Sequence, residues 1–243
     1  DGIRDRSPSR GLGDVYKRQA QRMPGVLKIL MHKDWAAAGL GDLKVVHPMP
    51  FGDGRPMNEC PRPAFASEKV RHVGDVVAAV IATTRNQAED AGEAIIVDYA
   101  ILPSVTDVAR ALEKDAPVLH EAFGSNLVFE IEKGDAVDTD NALAAADHIV
   151  EMVLPSNRVA GNPMEPRSYV CDFDPTTDNY TFYATSQTPH YLKRWLAVYT
   201  LFVPENKIRV IAPDVGGGFG LKVHYSVEAP TIAWAASLLK RPV

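Results

Sequence analysis

The sequence predicts an α+β fold, and two observations lead to that prediction. Short stretches of alternating or continuous apolar residues, typical of strands, are interspersed with stretches whose apolar residues recur at helical spacing. The connections between these stretches are rich in glycine, proline and helix-capping residues. The 243 residues are 46% hydrophobic and 23% charged, which is typical of a globular chain with an ample core.

The first half of the chain predicts a compact α+β unit that ends near His120 or Asn126. Asp34, Thr84 and Asp107 are its predicted helix N-caps, because their side chains can accept a hydrogen bond from the first turn. An irregular loop rich in proline and glycine is predicted for residues 39–63. The predicted strands cover residues 26–31, 70–83 and 95–99, and the predicted helices cover residues 36–38, 86–94 and 108–113.

The second half predicts another unit after a boundary placed between Asn126 and Asp147. Its clearest local signal is a hairpin turn over residues 174–179, which consist of Asp, Pro, Thr and Asn only. The predicted helices cover residues 138–147, 190–201 and 223–239, and the predicted strands cover residues 148–154, 168–173, 180–185 and 207–211.

The two ends of the chain differ from its interior. Residues 1–19 are rich in arginine, lack apolar periodicity and resemble a translated sequencing-library adapter, so we leave them out of the predicted fold. A native basic arm is the alternative interpretation of that segment. At the other end, residues 240–243 follow directly after a predicted helix, where an α/β chain would enter its next strand. We therefore expect a fragment of a longer protein.

Charge and composition make several function classes unfavourable. The 26 basic and 31 acidic residues give a net charge of −5, which offers no electrostatic attraction for nucleic acid or anionic membranes. The longest apolar run, residues 76–82, is far shorter than the roughly 20 residues that span a bilayer. Cys60 and Cys171 lie far apart and predict neither a disulfide framework nor a zinc cluster. No apolar secretory segment opens the chain, so a cytoplasmic location is expected.

A glycine-rich stretch at residues 212–222, between a predicted strand and a predicted helix, is the main candidate site. Its glycines permit positive φ and close approach of the main chain to a ligand, and a following helix N-terminus would favour an anion. Neither common phosphate loop matches, because both the Walker A pattern and the dinucleotide fingerprint counted from Gly216 require glycine at Leu221. A plain turn that packs a helix on a sheet is the simpler alternative.

Three motifs in order extend this observation: Asn-Pro-Met-Glu-Pro-Arg at 162–167, Gln-Thr-Pro-His at 187–190 and Gly-Gly-Gly-Phe-Gly-Leu-Lys at 216–222. With them, residues 20–243 resemble the molybdenum-binding large subunit of the xanthine dehydrogenase, aldehyde oxidoreductase and aerobic carbon monoxide dehydrogenase family. The pattern is most similar to that of carbon monoxide dehydrogenase large chains. The first half resembles that family through its stretches at residues 69–75, 88–91, 97–99 and 102–107.

The resemblance implies an α/β-hammerhead domain at residues 20–130, followed by the truncated start of a molybdopterin-binding α/β domain at residues 145–243. It implies a molybdenum hydroxylase that oxidises a small substrate with water-derived oxygen at a molybdopterin cytosine dinucleotide centre. Electrons would pass to a small iron–sulfur subunit and a medium FAD subunit, in a dimer of heterotrimers. The family's catalytic glutamate would lie beyond this stretch, so the fragment alone is expected to be inactive.

The resemblance also assigns the site residues. The side-chain amide of Gln187 would donate to a metal oxo group, as a fixed neutral donor can. Gly217, Gly218, Phe219 and Gly220 would form the cofactor-binding loop. Gln187 and Phe219 would lie next to the molybdenum without ligating it. Without the resemblance, Gln187 would be interpreted as a cap of the next helix and Phe219 as a core side chain.

Four further residues have expectations of their own. Glu165 is expected to be a buried, hydrogen-bonded structural group, and His190 a hydrogen-bonded histidine that ligates no metal. Lys222 would either offset cofactor charge or be solvated at a helix start. Val223 stands where purine-oxidising members carry a glutamate, which argues against a xanthine-type pocket. A copper site as in carbon monoxide dehydrogenase is not supported, because neither cysteine matches its loop.

Three alternatives remain open at this point. Within the family, the chain would belong to an aldehyde or N-heterocycle hydroxylase. Outside that activity, the glycine loop alone would make a non-catalytic nucleotide- or phosphate-binding module. The third alternative is a domain that only docks partner subunits.

Overall fold

The computed structural model describes residues 10–156 and 159–243 and has the predicted mixture of helices and strands. The strands are β1 (Arg10–Tyr16), β2 (Val26–Met31), β3 (Lys69–Val70), β4 (Ala78–Ala82), β5 (Ile96–Ile101), β6 (Tyr169–Asp174), β7 (Asn179–Ala184) and β8 (Ile208–Ile211). The α-helices are α1 (His32–Ala37), α2 (Arg85–Glu93), α3 (Ala136–Ala144), α4 (Pro189–Trp195) and α5 (Glu228–Leu239).

The first half contains two small antiparallel sheets. One has the strand order β3-β1-β5 and the other pairs β2 with β4. Helix α2 begins after Thr84, whose hydroxyl accepts a hydrogen bond from the Gln87 N–H at 3.3 Å, as the sequence predicts. Ala91 of α2 is fully buried against Ile29 of β2, so the capped helix covers this sheet.

Strand β1 corrects our exclusion of residues 1–19 from the fold. Its backbone pairs with β5 along most of its length and with β3 at Arg10 and Gly11. Backbone hydrogen bonds need no apolar periodicity, which is why the composition of the segment gave no sign of a strand. The adapter-like origin of the segment stays a prediction, and residues 1–9 lie outside the described part of the chain.

The second half is built around the sheet β6-β7-β8. Strands β6 and β7 form the predicted antiparallel hairpin, and β8 is parallel to β7. A parallel neighbour requires a crossover connection. Helix α4 supplies it and continues as a π-helical turn over Leu196–Leu201, which ends at Phe202 with positive φ. Cys171 of β6 exchanges two backbone hydrogen bonds with Val243.

The two halves share one hydrophobic core. Trp35 from α1 contacts the rings of Phe65 and Trp234 edge to face, with centroid distances of 5.9 and 5.5 Å. The same cluster includes the inward side chains of the second sheet, such as Phe182, and of α4, such as Leu196. The backbone N–H of Gly41 also donates to the carbonyl of Thr200 at 2.9 Å, which ties the first half to the π-helical turn.

Several predicted elements differ from the structure. Residues 148–154 form no strand, since none of the described strands pairs with them and their apolar side chains are exposed. The predicted helix 108–113 is a series of turns, and the predicted strand 70–83 is divided into β3 and β4 by a turn at Gly74, whose φ is 103°. Asp34 lies in the first turn of α1 and accepts from the Met31 N–H instead of being the N-cap.

Helix α5 begins at Glu228, later than the predicted start at residue 223. Turns and irregular backbone over residues 221–227 separate it from the last glycine of the loop. The expectation that a helix N-terminus adjoins the loop and attracts an anion is therefore wrong. No helix among residues 10–156 and 159–243 is long and apolar enough to cross a membrane.

Candidate functional site

The glycine-rich loop follows β8 and turns back on itself between Val215 and Val223. Gly217, Phe219 and Gly220 have φ values of 90°, 49° and 82°, so three of its residues are in the left-handed region. For phenylalanine this conformation is strained, and the Phe219 side chain is 74% exposed. The loop therefore presents an aromatic ring and its backbone at the surface, and Phe219 is not the core side chain of the simpler interpretation.

Gln187 holds the far end of this loop. Its side-chain Oε1 accepts hydrogen bonds from the Gly220 N–H at 3.2 Å and the Lys222 N–H at 3.3 Å. Its backbone N–H donates to the Lys222 carbonyl at 3.0 Å. The side chain does not cap α4, because the N-cap of that helix is Thr188, whose hydroxyl donates instead to the Val223 carbonyl at 2.6 Å. Gln187 and the loop thus form one unit.

The near end of the loop is held by Glu165. One carboxylate oxygen, Oε2, accepts from the Gly216 N–H at 2.8 Å and from the Lys222 ammonium at 2.7 Å. These two donors, the Lys222 ammonium foremost, lower the pKa of the Glu165 carboxyl below its usual value. The prediction of a hydrogen-bonded Glu165 is confirmed, but the buried member of the pair is Lys222, with a side chain 1% exposed against 33% for Glu165. Lys222 is therefore not solvated.

The glycines at 216 and 218 are needed for these contacts. A Cβ atom at Gly216 would lie 2.7 Å from Cβ of Glu165, and one at Gly218 would collide with the side-chain amide of Gln187. Gly217 and Gly220 are required for their positive φ instead. The glycines therefore let two side chains close on the loop, a use that the sequence pattern does not reveal.

Among the backbone N–H groups of residues 216–222 and the side chain of Gln187, three hydrogen-bond donors have no partner in the described part of the chain. They are the backbone N–H groups of Gly218 and Phe219 and the side-chain Nε2 of Gln187, whose Oε1 is already bonded to the loop. Donors without an acceptor at an exposed loop suit oxo, phosphate or carbonyl oxygens of a ligand. With α5 starting later than predicted, any preference of the loop for anions comes from these donors.

The remaining candidates do not join this group. His190 is exposed in the first turn of α4, and Cys171 is fully buried in β6, where burial raises the pKa of its thiol to about 12. Cys60 lies in the long irregular segment of the first half, with its sulfur near the Asn58 carbonyl. Within the described ranges, no three or more His, Cys, Asp or Glu side chains are grouped to hold a metal ion.

Two family profiles match the chain. The profile described as "Aldehyde oxidase and xanthine dehydrogenase, a/b hammerhead domain" matches residues 6–103, and that described as "Molybdopterin cofactor-binding domain" matches residues 119–243. The chain belongs to the molybdopterin-binding xanthine dehydrogenase family. The family resemblance and the hammerhead and molybdopterin-domain fold expected from the sequence are confirmed.

Similar proteins from this family include several large subunits. The carbon monoxide dehydrogenase large chain of Hydrogenophaga pseudoflava is 36% identical over 94% of this chain and 28% of the relative. The nicotine 6-hydroxylase large subunit of Paenarthrobacter nicotinovorans is 34% identical over 74% of this chain and 22% of the relative. The chain therefore spans less than a third of each of these relatives.

Solved structures of the family superpose on the whole chain. Quinoline 2-oxidoreductase from Pseudomonas putida 86 gives a TM-score of 0.86 at 28% identity, with 100% of this chain and 30% of that chain covered. Carbon monoxide dehydrogenase from Oligotropha carboxidovorans gives 0.85 at 30% identity, with 100% of this chain and 30% of that chain covered. In this xanthine dehydrogenase family chain, the glycine loop and Gln187 both lie within the matched molybdopterin cofactor-binding domain.

Proposed function

We propose that the chain is part of the large subunit of a molybdenum hydroxylase, in which Gln187 and the glycine loop form one wall of the molybdopterin site. The observation that supports this most directly is that Gln187, whose Nε2 has no partner among the described residues, is bonded through Oε1 to the loop that carries the unpaired N–H groups of Gly218 and Phe219. All three donors are neutral, and the loop and the Gln187 side chain that carry them are held by hydrogen bonds to each other and to Glu165. Such donors stabilise oxygen charge without adding a titrating group.

These residues fit the cofactor that the family implies. The N–H groups of Gly218 and Phe219 and Nε2 of Gln187 have no partner among the described residues, which suits the oxo and phosphate oxygens of that cofactor. The loop and Gln187 would bind and orient the cofactor, and Phe219 would cover it with an aromatic ring. The bound molybdenum would supply the two-electron redox chemistry. The cytosine dinucleotide form of the pterin is part of this proposal.

Electron transfer would require partner subunits. Iron–sulfur clusters are bound mainly by cysteine thiolates. We assign the clusters to a small subunit and the FAD to a medium subunit, as the family resemblance implies. Relatives such as the nicotinate dehydrogenase large molybdopterin subunit of Eubacterium barkeri, which is named as one subunit of an enzyme, support a divided enzyme. A dimer of such heterotrimers in the cytoplasm completes the proposal.

The substrate is proposed to be a small molecule that needs no carboxylate for orientation. Val223 follows Lys222 where a purine-oxidising site would carry a glutamate, and its side chain offers no hydrogen bond. Carbon monoxide dehydrogenase-like chemistry is the first candidate, given the relative that is 36% identical. An N-heterocycle or aldehyde hydroxylase is the second, favoured by the superposition on quinoline 2-oxidoreductase. Copper is not part of the proposal, since neither Cys60 nor Cys171 matches the cysteine loop of the carbon monoxide dehydrogenase pattern.

The test is to express the complete gene with its partner subunits and to measure molybdenum, cytosine nucleotide and turnover. In that enzyme, Gln187→Ala removes both the acceptor for the loop and the free donor, while Gln187→Glu keeps the acceptor, removes the donor and adds a negative charge. We expect both variants to lose turnover by about 100-fold, typical for one catalytic hydrogen-bond donor. Gln187→Glu should retain more molybdenum than Gln187→Ala.

Each alternative predicts a different outcome. Unchanged turnover in both Gln187 variants would support a domain that only docks partners. Active enzyme without molybdenum would refute the proposal. If this chain alone binds cytidine diphosphate, and Gly218→Ala abolishes that binding while Gln187→Ala does not, the loop is a simple nucleotide-binding module.

A further inference from the structure

The glycine loop is closed at its base by a single ion pair. Oε2 of Glu165 accepts from the N–H of Gly216, the first residue of the loop, and from Nζ of Lys222, its last residue. The backbone N–H of Glu165 also faces the Gly216 carbonyl, at 3.4 Å. One carboxylate oxygen therefore fixes the separation of the two ends of residues 216–222.

The loop between those ends has a conformation that it would not keep unaided. Gly217, Phe219 and Gly220 all have positive φ, and for Phe219 this conformation costs on the order of 1–3 kcal/mol. Such backbone persists only where surrounding contacts over-determine it. The described contacts that hold the ends in place are those of Glu165 with Lys222 and those of Gln187.

Stability alone does not account for the pair. Burying a lysine side chain to 1% exposure carries a desolvation penalty that the attraction to its partner often only offsets. Well-packed apolar residues at such positions are often as stabilising or more so. The pair fixes the position of the loop end at Lys222 relative to Glu165, since a buried ammonium has to remain beside its carboxylate.

We propose that Glu165 and Lys222 are positioning residues that hold the glycine loop in the shape that binds the cofactor. This inference rests on the proposed function of the loop. It assigns the ion pair no contact with substrate or metal. Its effect is to keep the loop that carries the free N–H groups of Gly218 and Phe219 in one conformation, so loss of the pair should weaken cofactor retention although both N–H groups remain.

The test uses the complete enzyme with its partner subunits and the double variant Glu165→Gln/Lys222→Met. Removing both charges should leave thermal stability within about 2 °C of the parent, since no buried charge is left unpaired. Molybdenum content should nevertheless fall tenfold or more, as for changes in groups that orient a metal site. The electron paramagnetic resonance signal of the remaining reduced molybdenum should change shape.

A matched control and a second variant keep the test decisive. Arg167→Gln removes an exposed ion pair with Glu228, at 3.7 Å, and should change neither molybdenum content nor the signal. If the double variant unfolds, Glu165→Asp alone, which keeps the charge beside Lys222 but shortens the side chain, is compared by hydrogen exchange, and faster exchange is expected within residues 216–222. Parental molybdenum content and signal in the folded double variant, or unchanged exchange in Glu165→Asp, would overturn the inference. A parent enzyme without molybdenum would instead refute the proposed function.

Discussion

At the scale of single residues, the site is determined by which side chains close on the glycine loop. Gln187 became a candidate through its place in an ordered series of motifs, and the structure brings it against the loop. The burial of Lys222 could not be predicted from the sequence, because lysine is usually solvated and its partner Glu165 lies far away along the chain. Pairing over such a separation is decided by tertiary structure.

Phe219→Gly tests whether the strained residue acts through its ring or its backbone. Glycine adopts positive φ without strain, and an exposed ring loses little burial, so the free energy of unfolding should change by less than about 1 kcal/mol. In the complete enzyme, cofactor retention should fall because the ring no longer covers the site. Denaturant unfolding and molybdenum content measure the two effects.

Phe202→Gly is the matched control, since Phe202 also has positive φ, at 53°, is 62% exposed and lies at the end of the π-helical turn. It should leave molybdenum content unchanged. Equal loss of molybdenum in both variants would show that the ring of Phe219 has no specific role at the site.

At the scale of elements, the sequence predicted those helices and strands whose local signals, such as turn residues and caps, are matched by a packing or strand partner in the structure. The hairpin of β6 and β7 carries its own turn residues, and α2 has its own cap, so neither depended on remote contacts. Residues 148–154 have the composition of a strand, but a strand needs a partner, and none of the described strands pairs with them. Strand β1 is the converse case, in which backbone pairing forms a strand from a sequence without the usual pattern.

Thr84→Ala should destabilise the first half of the chain through the start of α2. The Gln87 N–H would lose its acceptor, and removal of such a cap costs about 1 kcal/mol. Chemical denaturation of the chain provides the measurement. Thr84→Ser keeps the hydroxyl and should recover most of the loss, whereas equal effects of Ala and Ser would contradict the capping role.

At the scale of the whole molecule, the main feature is the core shared by the two halves. The sequence divides the chain between Asn126 and Asp147, and the two family profiles match on either side of residues 104–118. Side chains from both sides nevertheless meet around Trp35 and Trp234. Local sequence patterns do not predict contacts between the two units. The apolar periodicity of each element indicates which of its side chains are buried, but not which unit they pack against.

Trp35→Ala should destabilise both halves together. The side chain is 1% exposed and contacts aromatic rings from each half, so truncation should cost about 3–5 kcal/mol. Calorimetry should show one transition at lower temperature. Tyr183→Ala, at a side chain 47% exposed, should have a much smaller effect. Two separate transitions, with only the first one shifted, would show that the halves fold independently.

The closure of the glycine loop by Glu165, Lys222 and Gln187 has a thermodynamic consequence. A flexible loop would lose conformational entropy each time it bound a ligand. Here that ordering has been completed during folding, through hydrogen bonds that do not involve a ligand. A few contacts with the ligand can then give tight binding, because the preorganised loop no longer incurs most of the entropy cost of being ordered on binding.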